Sequence, residues 1–300
     1  MNATVHTEAE HYWVQLIHSD VRIIQGKYKS RILEAGNPNN PALFLLHGTG
    51  GHLENYARNI TALAEHFRVI ALDFIWHGRS QTTGFDHEVI PVLIDQILDV
   101  MQQLNIPRAH FEGQSMGGWV AMQLAIQHPE KVDRLVLTTT MGYRPDAGAI
   151  PDYVEPHWAA NLPSSIEVLN NPSFENVRTR MARILAKPER LTDEAIQVRQ
   201  TLYRQPALAD VQKHFITEYL SGETIQKHTV TDALAKKILA PTLVYWGDAN
   251  RTPPTLGQHI ADQVQQGKFY CAEDTGHWAQ FESADIHNQV VTDFLLSKNQ

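Results

Sequence analysis

The sequence predicts an α/β fold: a mostly parallel sheet flanked by helices, with a helical insertion. Three observations carry this. Short, continuous apolar runs read as strands buried on both faces. They alternate with stretches of helical periodicity, the rhythm of βαβ units. The rhythm then breaks after Met141 and resumes near residue 240.

Taken in order, "PALFLLHG" (41–48) is the first buried strand and "NYARNITALAEHF" (55–67) a helix, with Ala57, Ile60, Leu63 and Ala64 on one face. "RVIALD" (68–73) is a strand, and "VLIDQILDVMQQLNI" (92–106) an amphipathic helix ended by Pro107. "AHFEGQ" (109–114) is a strand that runs into the helix "SMGGWVAMQLAIQHP", and "VDRLVLTTT" (132–140) is a further strand. Residues 142–235 show no buried strand. They read as helices at 173–186, at 192–203 with Thr192 as N-cap, and at 207–220. Strands return at "APTLVYWG" (240–247) and "KFYCAED" (268–274), and a last helix covers 284–296. The division is a core of 1–141 and 236–300 around a helical cap of 142–235.

Composition excludes several classes. The net charge of −8 is spread along the chain, with no basic stripe for nucleic acid. The longest apolar runs, such as "ALFLL" and "VIAL", are too short to span a bilayer. "MNATVHTEAEHYWV" lacks the basic start and apolar run of a signal peptide. Cys271, the single cysteine, suits a reducing compartment, so a cytoplasmic location is expected. Sixteen histidines raise a metal reading, but no HExxH, CxxC or carboxylate–histidine cluster stands at ligand spacing. The expectation is no metal, no organic cofactor and a small-molecule substrate. A homo-oligomer is left open.

The chemistry concentrates in four places. "GQSMG" (113–117) matches G-x-S-x-G between a buried strand and a helix, a junction that presents Ser115 above the sheet on a sharp turn. The alternative is a glycine-rich turn with an ordinary serine. "LLHGTGG" (45–51) ends the first buried strand in a flexible loop. The N–H of Thr49 or Gly48, with that of Met116, would complete an oxyanion hole. On such a scaffold the acid and then the base follow later in the chain. "DTGHWAQFE" (274–282) supplies His277 as base, and the other histidines read as helical or surface residues.

The acid is harder. Its usual place is the loop after "PTLVYWG", where Asp248 and Asn250 are the candidates. An amide can hydrogen-bond an imidazole but brings no charge, and the loss in a serine protease is about 10⁴ in rate. A carboxylate from elsewhere is therefore expected, with Asp248 the nearest and Asp146 a weaker choice. If none reaches His277, the enzyme is slow.

These residues resemble the α/β-hydrolase fold and, within it, the meta-cleavage-product hydrolases, which split a C–C bond of 2-hydroxy-6-oxohexa-2,4-dienoates. The likeness covers about 27–296 and rests on "LLHGTGG", "DFIWHGRS", "GQSMGGW", "GHWAQFESAD" and "LTDEAIQVRQTLYRQP". It implies that Arg199 holds the substrate's C1 carboxylate and 2-oxo group, as a planar fork can. It also implies that Trp278 walls the pocket beside His277. Two positions depart from the family: Gln114 stands where Asn is usual, which touches the substrate contact, and Asn250 stands where Asp is usual.

Three functions stay open. The first is C5–C6 hydrolysis of an aryl or alkyl dienoate. The second is a carboxylesterase or lactonase on the same scaffold. The third is a non-catalytic ligand-binding homologue, for which Asn250 is the only support. Arg199 discriminates between the first two, since an esterase for neutral esters does not need it. If it instead lies on the helix surface, Glu194 is its natural partner.

Overall fold

A computed structural model describes residues 11–151, 158–220 and 227–297. The signal-peptide reading of the first residues falls largely outside that range. Eight strands form the main sheet: β1 (Asp20–Gln25), β2 (Lys29–Ala35), β3 (Ala42–Leu46), β4 (Arg68–Leu72), β5 (Ala109–Gln114), β6 (Val132–Thr138), β9 (Thr242–Gly247) and β10 (Gly267–Ala272). Their order is β1-β2-β4-β3-β5-β6-β9-β10. From β4 to β10 every pairing is parallel; β2 runs antiparallel to both β1 and β4. The central strands are buried because both faces are covered: β3 is wholly apolar, and β5 buries even His110, Glu112 and Gln114. All five residues of β3 are buried, as are all six of β5.

The sequence analysis missed β1 and β2. "DVRIIQ" alternates polar and apolar residues and is exposed at the sheet edge, so it carries no buried-strand signal.

Helices α2 (Ala57–Ala64), α3 (Val89–Gln103), α4 (Met116–Gln127), α10 (Pro254–Gln263) and α12 (Ala284–Leu296) accompany the sheet, with short α1 (Tyr12–Gln15) and α11 (Ala279–Glu282) beside it. The helix expected at 92–106 starts earlier and stops earlier. Pro91 sits in its first turn, where a missing N–H costs nothing. Its end is set by Asn105 at φ +54 rather than by Pro107. The Asn105 N–H reaches Gln102 O and the Ile106 N–H reaches Met101 O, the paired bonds of a left-handed helix cap.

Between β6 and β9 the chain forms α5 (Leu162–Asn170), α6 (Phe174–Ala182), α7 (Asp193–Tyr203) and α8 (Pro206–Leu220). The N-cap reading holds: Thr192 Oγ1 accepts from Ala195 N. Helix α5 was not foreseen. Two short strands, β7 (Tyr143–Arg144) and β8 (Val230–Thr231), pair in parallel at the two ends of this stretch, and α9 (Asp232–Ala235) leads back to the core.

The "DFIWHGRS" turn, which has no obvious purpose in the sequence, is a clamp. Buried Asp73 accepts from the N–H groups of Leu53 (2.7 Å) and Arg79 (2.8 Å) and from Arg31 (3.2 Å), so it ties β2, β4 and the helix entry together. Gly78 at φ +53 lies against it, where a Cβ would fall 2.1 Å from a carboxylate oxygen.

Candidate active site

Ser115, His277, Asn250 and the Gly48–Thr49 loop lie at the carboxyl edge of the parallel strands, where such sheets build their crevice, and Arg199 comes to them from an insertion helix. Ser115 follows β5 directly. Its backbone is held at φ +55, ψ −115, a strained conformation for a non-glycine residue. The flanking glycines make this turn possible. A Cβ on Gly113 would lie 2.3 Å from the Gly117 carbonyl, and one on Gly117 would lie 2.1 Å from Leu46 O.

His277 lies in the loop after β10, and its Nε2 is 3.0 Å from Ser115 Oγ. Its Nδ1 is 3.0 Å from Asn250 Oδ1. The Asn250 amide is oriented in turn, because its Nδ2 donates to Thr252 Oγ1 at 2.9 Å. With an acceptor oxygen facing Nδ1, the proton belongs on Nδ1 and the lone pair on Nε2 faces the serine. The relay has triad geometry without a triad charge.

This corrects the expectation of a displaced carboxylate. Asp248 is exposed and turned away, and its Oδ1 accepts from Thr275 N at 3.0 Å. The turn after β9, with Asn250 N bonded to Gly247 O, buries residue 250 instead. Asp146 is exposed, and its backbone N–H is bonded to Asp232. Among the described residues, no carboxylate reaches the His277 ring.

The electrostatics follow. Enclosure by protein, then the positive charges of Arg251 and Arg180, push the His277 pKa down to about 4. His277 is therefore neutral, with a free lone pair, over almost all of the working range. The expected acid limb of kcat/KM falls near pH 4, not near the ~6.5 of an ordinary imidazole. A pH–rate profile with its acid limb at 6 or above would show that burial and the neighbouring arginines do not depress the ring.

The loop after β3 is oriented by a residue that the sequence analysis passed over. His47 is buried; its Nδ1 donates to Gly48 O (2.8 Å), and its Nε2 accepts from Phe74 N (3.0 Å). Gly48 O also accepts from Gly51 N at 2.9 Å. In a trans peptide the N–H points opposite to its carbonyl. Anchoring Gly48 O thus directs the Thr49 N–H the other way. Met116 opens α4, so its N–H is one of the orphan donors of a helix start. Gly48 packs against the nucleophile turn: a Cβ there would lie 3.0 Å from Ser115 Cβ. The reading of the other histidines as surface residues fails for His47, His52, His77, His110 and His287, all buried.

The remaining candidates converge on one pocket with Ser115 and His277. Arg199 is buried on α7 and donates from Nη2 to Asn55 Oδ1 at 3.1 Å. It does not pair with Glu194, which accepts from Tyr12 N instead. Trp278 is buried, stacks on Phe281 with ring centroids 4.1 Å apart, and forms a wall. Gln114 also lines the pocket, but its Nε2 is occupied by His277 O at 2.9 Å. Thr139 Oγ1 donates to the same carbonyl at 2.7 Å.

The His277 loop is joined to the insertion as well. The His277 N–H (2.8 Å) and the Trp278 N–H (3.3 Å) both donate to Ile184 O. The buried Glu282 carboxylate accepts from the N–H groups of Gly276, Ala186 and Lys187. Asn55, Arg180 and Arg251 also line the pocket and were not singled out in sequence. Only Arg251, next to the acid position, had a signal that could have revealed it.

The comparisons agree with this fold. The alpha/beta hydrolase fold family matches residues 41–284. A 2-hydroxy-6-oxo-6-phenylhexa-2,4-dienoate hydrolase of Comamonas testosteroni is 30% identical over 88% of this chain and 90% of its own. A 2-hydroxy-6-oxononadienedioate/2-hydroxy-6-oxononatrienedioate hydrolase of Paraburkholderia phymatum is 31% identical over 84% and 86%. The solved 2-hydroxy-6-oxo-6-phenylhexa-2,4-dienoate hydrolase of Rhodococcus sp. strain RHA1 superposes with a TM-score of 0.78 at 25% identity, covering 93% of this chain and 100% of that one. The chain belongs to the alpha/beta hydrolase fold family, and among its relatives there it is similar to the hydrolases of meta-cleavage products.

Proposed function

We propose that this protein hydrolyses the C5–C6 bond of 2-hydroxy-6-oxohexa-2,4-dienoates. The observation that carries the reading is one pocket holding the Ser115–His277 pair and a buried arginine, Arg199, whose hydrogen bond among the described residues goes to a neutral amide. A buried guanidinium without an anion is costly, and a substrate carboxylate is the natural complement.

The steps use the residues as they stand. Arg199 holds the C1 carboxylate and 2-oxo group. Neutral His277 Nε2 takes the enol proton on its way to C5, which gives the keto form. Ser115 then attacks the C6 carbonyl, or directs water onto it, and passes its proton to His277. The N–H groups of Thr49 and Met116 receive the charge on oxygen. The C5–C6 bond breaks and C5 takes the proton; C6 leaves as a carboxylic acid directly where water attacked, or after a water deprotonated by His277 hydrolyses the Ser115 ester and returns the serine proton. The helices between β7 and β8 act as the cap that closes the pocket, with Trp278 as its wall. The unpaired, half-buried Cys271 supports a reducing, cytoplasmic setting.

The test is the decay of dienolate absorbance with a small panel of dienoates. Inertness toward all of them would sink the reading. Carboxylesterase or lactonase activity is the second reading, and Asn250 favours it, because easier acyl transfers tolerate an uncharged relay. Arg199→Gln separates the two. For a dienoate, kcat/KM is expected to fall about 10–100-fold, the value of a charge-assisted contact. For a neutral phenyl ester it is expected to stay within about threefold. Equal losses on both substrates would mean that Arg199 is structural.

A further inference from the structure

We infer that Tyr203, a residue of the insertion, positions the oxyanion hole: its hydroxyl holds the loop after β3 so that the Thr49 N–H faces the reacting carbonyl. This rests on the proposed function for the serine chemistry, not for the dienoate. Tyr203 is the last residue of α7, and its hydroxyl crosses from the insertion to the core to donate to Gly50 O at 3.1 Å.

Two peptide planes carry this contact to the hole. In a trans peptide, a carbonyl held on one side aims the next N–H to the other. With Gly50 O held by Tyr203, the Gly51 N–H points away from the tyrosine and donates to Gly48 O at 2.9 Å. Gly48 O also receives His47 Nδ1, so one of its anchors belongs to the core and the other depends on the insertion. The same rule applied to the Gly48–Thr49 plane sends the Thr49 N–H away from both anchors.

The path needs its glycines. Gly50 has φ +66, and a Cβ there would lie 2.7 Å from the Tyr203 hydroxyl; a Cβ on Gly51 would lie 2.8 Å from Gly48 O. Arg199 stands one turn before Tyr203 on the same face of α7, and its guanidinium lies 5.9 Å from the centre of the Tyr203 ring. One helix face therefore presents two groups with different tasks. Arg199 meets the substrate carboxylate of the proposed reaction, and Tyr203 meets the loop that receives the developing charge. The tasks separate in an experiment, because every attack of Ser115 on a carbonyl forms an oxyanion, whereas only a carboxylate substrate needs Arg199.

The test is Tyr203→Phe, which removes the hydroxyl and keeps the half-buried ring. For a dienoate and for a neutral phenyl ester alike, kcat is expected to fall about tenfold with KM within about twofold, a smaller loss than the roughly 10²–10³ of deleting an oxyanion donor. A phenyl trifluoromethyl ketone, which Ser115 would convert to a hemiketal anion, should bind about tenfold more weakly by its fluorine NMR signal, while thermal unfolding shifts little. A raised KM with kcat kept, or a loss confined to the dienoate, would make Tyr203 a substrate contact and overturn the inference. So would kcat and ketone affinity within about twofold of wild type, or a wild type that forms no ketone adduct. In a protein inert toward every dienoate, the expected losses on the ester and the ketone support the inference while the C–C hydrolase reading falls.

Discussion

Asn250→Asp is expected to raise kcat on a dienoate by about 10² to 10⁴, the upper figure being the usual value of this charge in serine hydrolases. The site is ready for the change. Asn250 already places an oxygen 3.0 Å from His277 Nδ1, and an aspartate keeps that oxygen in place. The Nδ2 of the amide becomes a second oxygen, and the Thr252 hydroxyl, now an acceptor at 2.9 Å, rotates to donate. Arg251, the next residue, favours the ionised form. What the substitution adds is stabilisation of the imidazolium that forms when Ser115 or water gives up its proton. The same charge raises the His277 pKa, so the acid limb of kcat/KM should move up from about 4 toward the ordinary imidazole range. The two shifts must appear together. A folded variant with an unchanged rate would mean that no imidazolium forms in the slow step.

The second large effect is at the nucleophile. Ser115→Ala is expected to lower kcat by at least about 10³, and by up to about 10⁶ if the pair works as a unit. His277→Ala should cost about as much, and the double variant little more. Stability should barely change, because Oγ has His277 Nε2 as its partner and alanine tolerates φ +55 no worse than serine does. Stopped-flow decay of the dienolate, beside thermal unfolding, decides it. Residual turnover within tenfold of wild type would remove Ser115 from the mechanism.

The parallel core was legible because strands covered on both faces tend to be runs of apolar residues, as "ALFLL" and "VIAL" are. The edge pair β1–β2 escaped because an edge strand has no such constraint. Ser115 and His277 were legible through local motifs in the right chain order. The relay partner was not. Whether residue 248 or 250 turns inward depends on a turn whose hydrogen bonds run to Ala272 and Thr275, far away in sequence. Arg180 escaped for a related reason. "SFENVRTRMARILA" places arginines at several angles around a helix, and only the packing of α6 selects the one that faces the pocket. His47 was misread because a polar residue after a buried strand looks solvated, whereas here it fixes a backbone carbonyl.

The bonds between the His277 loop and the insertion have a consequence for counting active molecules. His277 and Trp278 share the Ile184 carbonyl, and Glu282 holds amides from both sides of the seam. If that seam opens, the imidazole loses its anchor at the same moment as the pocket loses its cover. Closure and readiness are then one event rather than two. A serine-directed label would mark only shut molecules, and its burst amplitude would measure how much of the population is shut at any instant.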